Sequence, residues 1–389
     1  MMVNLKLVKA LFIISIVIFS IGCSKDDESP IPVVEIPNPI EPSYSVPSTY
    51  NFVNASGAST VDFNGQKQRL EMAMELIDYI KTANTLGVSI SASTLNNMYA
   101  NTGYTWLDVP ALGLTGSTKQ LKDKTAEGDV GVQNMVENYF DSLEVLSNLN
   151  YDNSAGTYGF GGVWDNGVKS YLQAGSGIEY KEMVEKVLIC AVFMNQMTIN
   201  YLGSIANDDN DNILSGKTYT EMQHHWDEAY GYFTSEINYP TEGTDRFWGK
   251  YTFAREAVLG SATTISQAFR TGRAAIDNKD YLTRDVQIAI IRNEMEKICA
   301  GTAINYLNQA KSNLTNSVLK NHQLSEAKGL IDGLRYGYNS VSGNGMTSTE
   351  IDTALVYLND FENITVSDIN TLIDLVASKT GLTSVKTSL

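Results

Sequence analysis

The chain has 389 residues, 43% of them apolar and 19% charged, the composition of a folded globular protein able to bury a sizeable core. Its 28 Lys and Arg stand against 44 Asp and Glu, a net charge of −16, which excludes nucleic acid and an anionic bilayer surface as main partners because like charges repel. Three cysteines are too few for a disulfide scaffold.

In chain order, Lys6 and Lys9 precede an unbroken apolar run, Ala10 to Ile21, that stops at Gly22-Cys23. That run is about half the ~20 residues a membrane-spanning helix needs, and its flanks are those of a secretory signal over residues 1–22. Ser20-Ile21-Gly22-Cys23 reads as a lipoprotein cleavage box, although its first position is usually Leu; Cys23 would carry the lipid and begin the mature chain. Residues 23–48 hold six of the eight prolines and little periodicity, which predicts an acidic, Pro-rich tether. Removing Lys6 and Lys9 leaves 26 basic residues against 44 acidic, or −18, so the expected anchor is the acyl chain and not the protein surface.

From 49 to 389 the pattern predicts helix throughout. Leu70, Ala73, Met74, Ile77 and Ile80 recur at helical spacing, as do Val132, Met135, Val136, Tyr139, Phe140, Leu143 and Leu146. Further helices are expected over 178–203, 219–236, 252–270, 284–314, 319–335, 347–361 and 367–378. No alternating run competes, so the expected fold class is all-α, a duplicated helical bundle. The glycine-rich stretch 156–162 follows no predicted strand and lacks a phosphate-loop ending, so it reads as a mobile loop.

An internal repeat spans about 178–270 and 284–361 and collects every histidine. Ile199-Asn200-Tyr201-Leu202 recurs as Ile304-Asn305-Tyr306-Leu307, and His-x-x-x-Glu-Ala-x-Gly occurs at 224–231 and at 322–329. On a helix His224 lies over Glu228 and His322 over Glu326. Met222, Trp226, Ala229 and Phe233 form the opposite, apolar stripe, matched in the second copy by Leu324, Ala327, Ile331 and Leu334. Each motif glycine permits close approach of another backbone, which would bury the polar couple. Three roles fit such a face: two couples converging on one metal ion, iron or zinc, as two imidazoles and two carboxylates; buried or capping hydrogen bonds; or solvated surface. His225, with Glu228, adds a His-x-x-Glu spacing.

Other signals are weaker. Asp208, Asn210 and Asn212 alternate as in a calcium loop, but Ile213 replaces the needed glycine and position 219 is Tyr, so 207–212 is expected to be a solvated connector. Cys190 and Cys299 could bridge after export, with buried free thiols the favoured state. No nucleophile elbow or His-Glu-x-x-His is present, which favours binding over catalysis. Carboxylate pairs suited to glycoside hydrolysis are not decided by sequence spacing.

Ser24-Lys25-Asp26-Asp27-Glu28 resembles the surface-export tag of Bacteroidota lipoproteins, which implies an outer-membrane, cell-surface location. Tyr50-Asn51-Phe52, Phe63-Asn64-Gly65-Gln66, His225 to Phe233 and Gly272-Arg273-Ala274-Ala275-Ile276 resemble the Bacteroidota lipoprotein domain-of-unknown-function family 4856 from about 49 to 385, a likeness that implies no activity. The chain is also similar to imelysin-like proteins, secreted all-α proteins with two helical halves and a Gly-x-His-x-x-Glu motif; here His225 and Glu228 match while Gln223 stands at the glycine. That likeness implies an association with iron acquisition; a metal-handling protein of this kind would pass iron or haem to an outer-membrane transporter. The alternative expectation is a glycan- or protein-binding surface protein that uses its 21 Tyr and 4 Trp, with purely structural His–Glu couples.

Overall fold

The computed structural model describes residues 42–149, 155–240 and 245–389, so Cys23, the signal and most of the tether lie outside the described residues. The chain joins the folded body early: Tyr44 and Val46 already pack on the core, and the Tyr44 hydroxyl donates to Asp280 at 2.9 Å. Helix α1 (Asn64–Thr82) buries Leu70, Ala73, Leu76, Ile77 and Ile80. Helix α2 (Ala92–Tyr99) is capped by the Ser91 side chain, and α3 (Val130–Leu149) buries Val136, Phe140, Leu143 and Leu146.

A small β-hairpin follows the glycine-rich stretch 156–162, in a region where the sequence pattern shows no strand. Strands β1 (Gly162–Asp165) and β2 (Ser170–Gln173) pair antiparallel, with Gly162 opposite Gln173 and Asp165 opposite Ser170. The glycine-rich lead-in is hydrogen-bonded: Gly159 N–H donates to the Gly175 carbonyl at 2.8 Å. A Cβ at Gly175 would sit 2.7 Å from the Phe160 nitrogen, so the two strands of this lead-in close only over glycine. Strands of four residues are too short to show a period of two.

Helix α4 (Tyr180–Val187) runs on through wide turns, Leu188–Met194 and Gln196–Tyr201, into α5 (Leu202–Ser204) as one rod, Tyr180–Asn207. By length and composition this rod could cross a membrane, but most of it is buried in the fold. A helix apolar on all sides belongs in the middle of a large core. Helix α6 (Glu221–Phe233) begins at a Thr220–Gln223 capping box. The expected helix over 252–270 is broken at Gly260 (φ +64°) into α7 (Phe247–Ala254), α8 (Glu256–Leu259) and α9 (Ser261–Asp277).

Helices α10 (Tyr281–Ser312) and α11 (Ser317–Gly333) are capped by Asp280 and Asn316. Helices α12 (Tyr338–Ser342), α13 (Ser348–Val356) and α14 (Val366–Lys379) close the chain, the last two with capping boxes of their own. Helix α10 packs along α9, α11 and α14; α11 packs along α4; and α6 packs against α1 and the wide-turn part of the rod. The described body is a predominantly helical, all-α fold with one continuous core.

Candidate metal centre

Both His–Glu motifs lie on helices with their apolar stripes in the core: Trp226, Ala229 and Phe233 on α6, and Leu324, Ala327 and Ile331 on α11, are fully buried. Each motif glycine admits a second helix, as the sequence implies. A Cβ at Gly231 would stand 2.7 Å from Phe63 Cβ, and one at Gly329 2.6 Å from Lys186 Cβ. Helix α1 therefore crosses α6 at one motif and α4 crosses α11 at the other. An aromatic ring covers each imidazole: Tyr219 stacks on His224 at 4.8 Å, and Tyr171, carried by β2, stacks on His322 at 4.4 Å.

The two couples do not share a site. Among the described residues no group of metal-capable side chains combines His224 or Glu228 with His322 or Glu326. His224 Nδ1–H donates to the Asp62 carbonyl at 3.0 Å, and its Nε2 is 3.9 Å from Glu228. Glu228 accepts from the Gln66 amide at 2.9 Å. His225 turns to Asp208, with Nδ1 at 2.7 Å from Oδ2. The His-x-x-Glu pair thus has separate partners, and Gln223 is occupied by the helix cap and by Asp277. A four-ligand cage is not formed, because each motif glycine draws in a different helix and the couple beside it packs on that helix.

The second couple has richer surroundings. His322 Nδ1 lies 2.8 Å from Glu179 Oε2 and 3.3 Å from Glu182 Oε1. Glu179, Glu182 and His322 form the one group of three or more metal-capable side chains among the described residues with all ligand atoms within 4.8 Å of one another. Both carboxylates are completely buried, and Glu179 Oε1 has no hydrogen-bond partner. The start of α4 is held on α11 by Glu179 N–H donating to the Ser325 hydroxyl at 2.9 Å. Glu326, the fourth sequence candidate here, is 3.9 Å from His322 Nε2 but 2.5 Å from Lys186 Nζ. Lys186 also meets Glu182 and Glu185, and Lys181 pairs with Glu182.

Charge explains the protonation of this cluster. Burial opposes a charge on His322, but Glu179, Glu182 and Glu326 outweigh it and push the imidazole up to about 9. At Glu182 burial favours the neutral acid, yet Lys181, Lys186 and His322 hold the carboxyl well below its usual range. Burial and the neighbouring Glu182 raise Glu326 to about 7 against the pull of Lys186. A cavity of about 270 Å³ opens onto Glu182, Glu326 and His322, with Tyr251 and Tyr306 on its walls.

A family model described as Domain of unknown function (DUF4856) matches residues 47–383. The chain belongs to this family. No curated protein and no solved structure matches it.

The DUF4856 segments that stand out in the sequence converge in the structure, and what they build is a packing knot. Tyr50 lies flat on Tyr230 at 3.6 Å, Phe63 meets the edge of the same ring, and a Cβ at Gly272 would collide with Trp226. Asp227 and Arg273, both fully buried, pair at 3.0 Å. The connector 207–212 is bonded within itself, Asp209 accepting from Asp211 N–H at 2.7 Å and from Asn212, and to the fold around it, Asn210 donating to the Ile276 carbonyl at 2.8 Å and Asp208 meeting His225. Cys190 and Cys299 are buried free thiols. Glu179, Glu182 and Lys186 escaped the sequence reading. The signal available for them was a burst of charge, 179–186, opening the most apolar helix of the chain.

Proposed function

We propose that this DUF4856 protein is an exported lipoprotein, anchored through Cys23 to the outer membrane and facing the cell surface, that binds a divalent metal ion at Glu179, Glu182 and His322 in the service of metal acquisition. The observation that carries this reading is the buried triad, with an unpartnered Glu179 oxygen beside it. Two carboxylates and one imidazole suit Fe²⁺ or Zn²⁺, and three protein ligands leave coordination positions open. The charges fit as well. Glu179, Glu182, Glu185 and, once ionised, Glu326 face Lys181 and Lys186, so a dication that displaces the His322 proton and any proton on Glu326 brings the cluster to neutrality. Lys181 and Lys186 then orient the carboxylates from behind, and Tyr171 fixes the plane of the imidazole.

Element analysis of the signal-free protein after exposure to Zn²⁺ or anaerobic Fe²⁺ is expected to find one equivalent bound, with between about one and two protons released per ion at neutral pH. His322→Ala and Glu179→Gln should each weaken binding about 10- to 100-fold, while His224→Ala leaves it unchanged. Full metal content in His322→Ala would sink the reading. For the anchor, Cys23→Ser is expected to move the protein from the membrane to the soluble fraction; lipid labelling of that variant would refute it.

A further inference from the structure

A groove of about 570 Å³ runs along α1, lined by Glu71, Glu75 and Asp78 together with Tyr79, Tyr104 and Leu107. It adjoins the cavity of the metal centre, Met74 and Arg246 standing between the two and lining both. At that junction Arg246 is ion-paired with Glu71. The three carboxylates follow one another along the helix, Glu71 and Glu75 about 6 Å apart along the axis and Glu75 and Asp78 about 4.5 Å. Glu75 is bonded only to neutral donors, the Tyr104 hydroxyl at 3.0 Å and the Leu107 and Asp108 amides. Asp78 meets Lys81 in solvent, a pair that a competing cation opens at little cost.

We propose that this groove is the route by which the metal ion reaches Glu182 and His322, with the Arg246–Glu71 pair as the gate at its neck. The inference rests on the metal-binding reading above. Three carboxylates line the groove against one guanidinium, itself paired with Glu71, and such a net negative lining concentrates cations and raises the capture rate. A cation descending past Asp78 and Glu75 meets Glu71 next and competes with Arg246 for it. The freed guanidinium, about a third exposed to solvent, swings outward and clears the neck. The arrangement acts on rates: the groove carboxylates speed capture, and the affinity stays with the triad.

Stopped-flow transfer of Zn²⁺ from a chromophoric zinc indicator, using the signal-free protein at low ionic strength, tests this. Glu75→Gln with Asp78→Asn should slow association about tenfold, a difference that fades in high salt, with equilibrium affinity unchanged. Glutamine keeps an acceptor for the Leu107 amide, and Asp78→Asn alone, at an exposed position, is expected to show part of the effect should the double variant misfold. Arg246→Ala should speed association and dissociation together. Zinc bound tightly with rates indifferent to all of these changes would overturn the route and leave the triad standing. A wild-type protein that takes up no zinc would overturn the reading and the route with it.

Discussion

Asp227→Ala is expected to cost about 3 kcal/mol of folding stability, because it leaves the fully buried Arg273 guanidinium with Asp277, and no longer Asp227, as its counter-ion. Arg273 Nε donates to Asp227 Oδ1 at 3.0 Å, the Tyr50 hydroxyl donates to the same oxygen at 2.7 Å, and Asp62 N–H reaches Oδ2 at 3.3 Å. Arg273 also holds the Thr60 hydroxyl at 3.0 Å and lies against the Phe52 ring. The pair thus fastens the segment entering from the tether across α6 and α9. Denaturant unfolding of the variant checks the loss, and protease cleavage within 50–62 should appear below the unfolding midpoint. Adding Arg273→Met should recover part of the stability, since it removes the under-paired buried charge while Asp277, part-exposed, stays solvated. A double variant less stable than Asp227→Ala would show that the guanidinium is retained for another reason.

Metal-free protein is expected to lose stability as pH rises from about 6 to about 9, on the order of 3 kcal/mol. His322 titrates near 6.5 when unfolded and is pushed up to about 9 in the fold. Its contribution is therefore complete below the unfolded value and disappears as pH climbs through the folded one. Glu326, raised to about 7, acts in the same direction over a more acidic range, because the folded state holds its proton longer than the unfolded chain. Unfolding free energies measured between pH 5 and 10 should fall, and His322→Gln should flatten the alkaline part of the profile. A wild-type curve that rises from pH 7 to 9 would contradict an imidazolium held between Glu179 and Glu182.

The two His–Glu motifs show how far residue spacing reaches. It placed His224 over Glu228 and His322 over Glu326, put Trp226 and Leu324 in the core, and assigned Gly231 and Gly329 to close helix approach. All of this is local helix geometry. It did not predict which helix would arrive at each glycine. At Gly231 the arriving helix brings Gln66 and a main-chain carbonyl of Asp62; at Gly329 it brings Glu182 and Lys186, with Glu179 at its start. One couple is therefore hydrogen-bonded as packing, and the other sits among carboxylates able to hold an ion.

Periodicity within single segments was enough to determine an all-α fold, most helix positions and the two apolar stripes, because each depends on neighbours three or four residues apart. Tertiary structure alone decided the hairpin that brings Tyr171 over His322, the break at Gly260, the separation of the two couples and the meeting of Glu179 with His322 across 143 residues. Those features arise from contacts between distant segments. A charge that looks like ordinary solvated surface in the sequence of α4 becomes a buried ligand only when α11 closes over it.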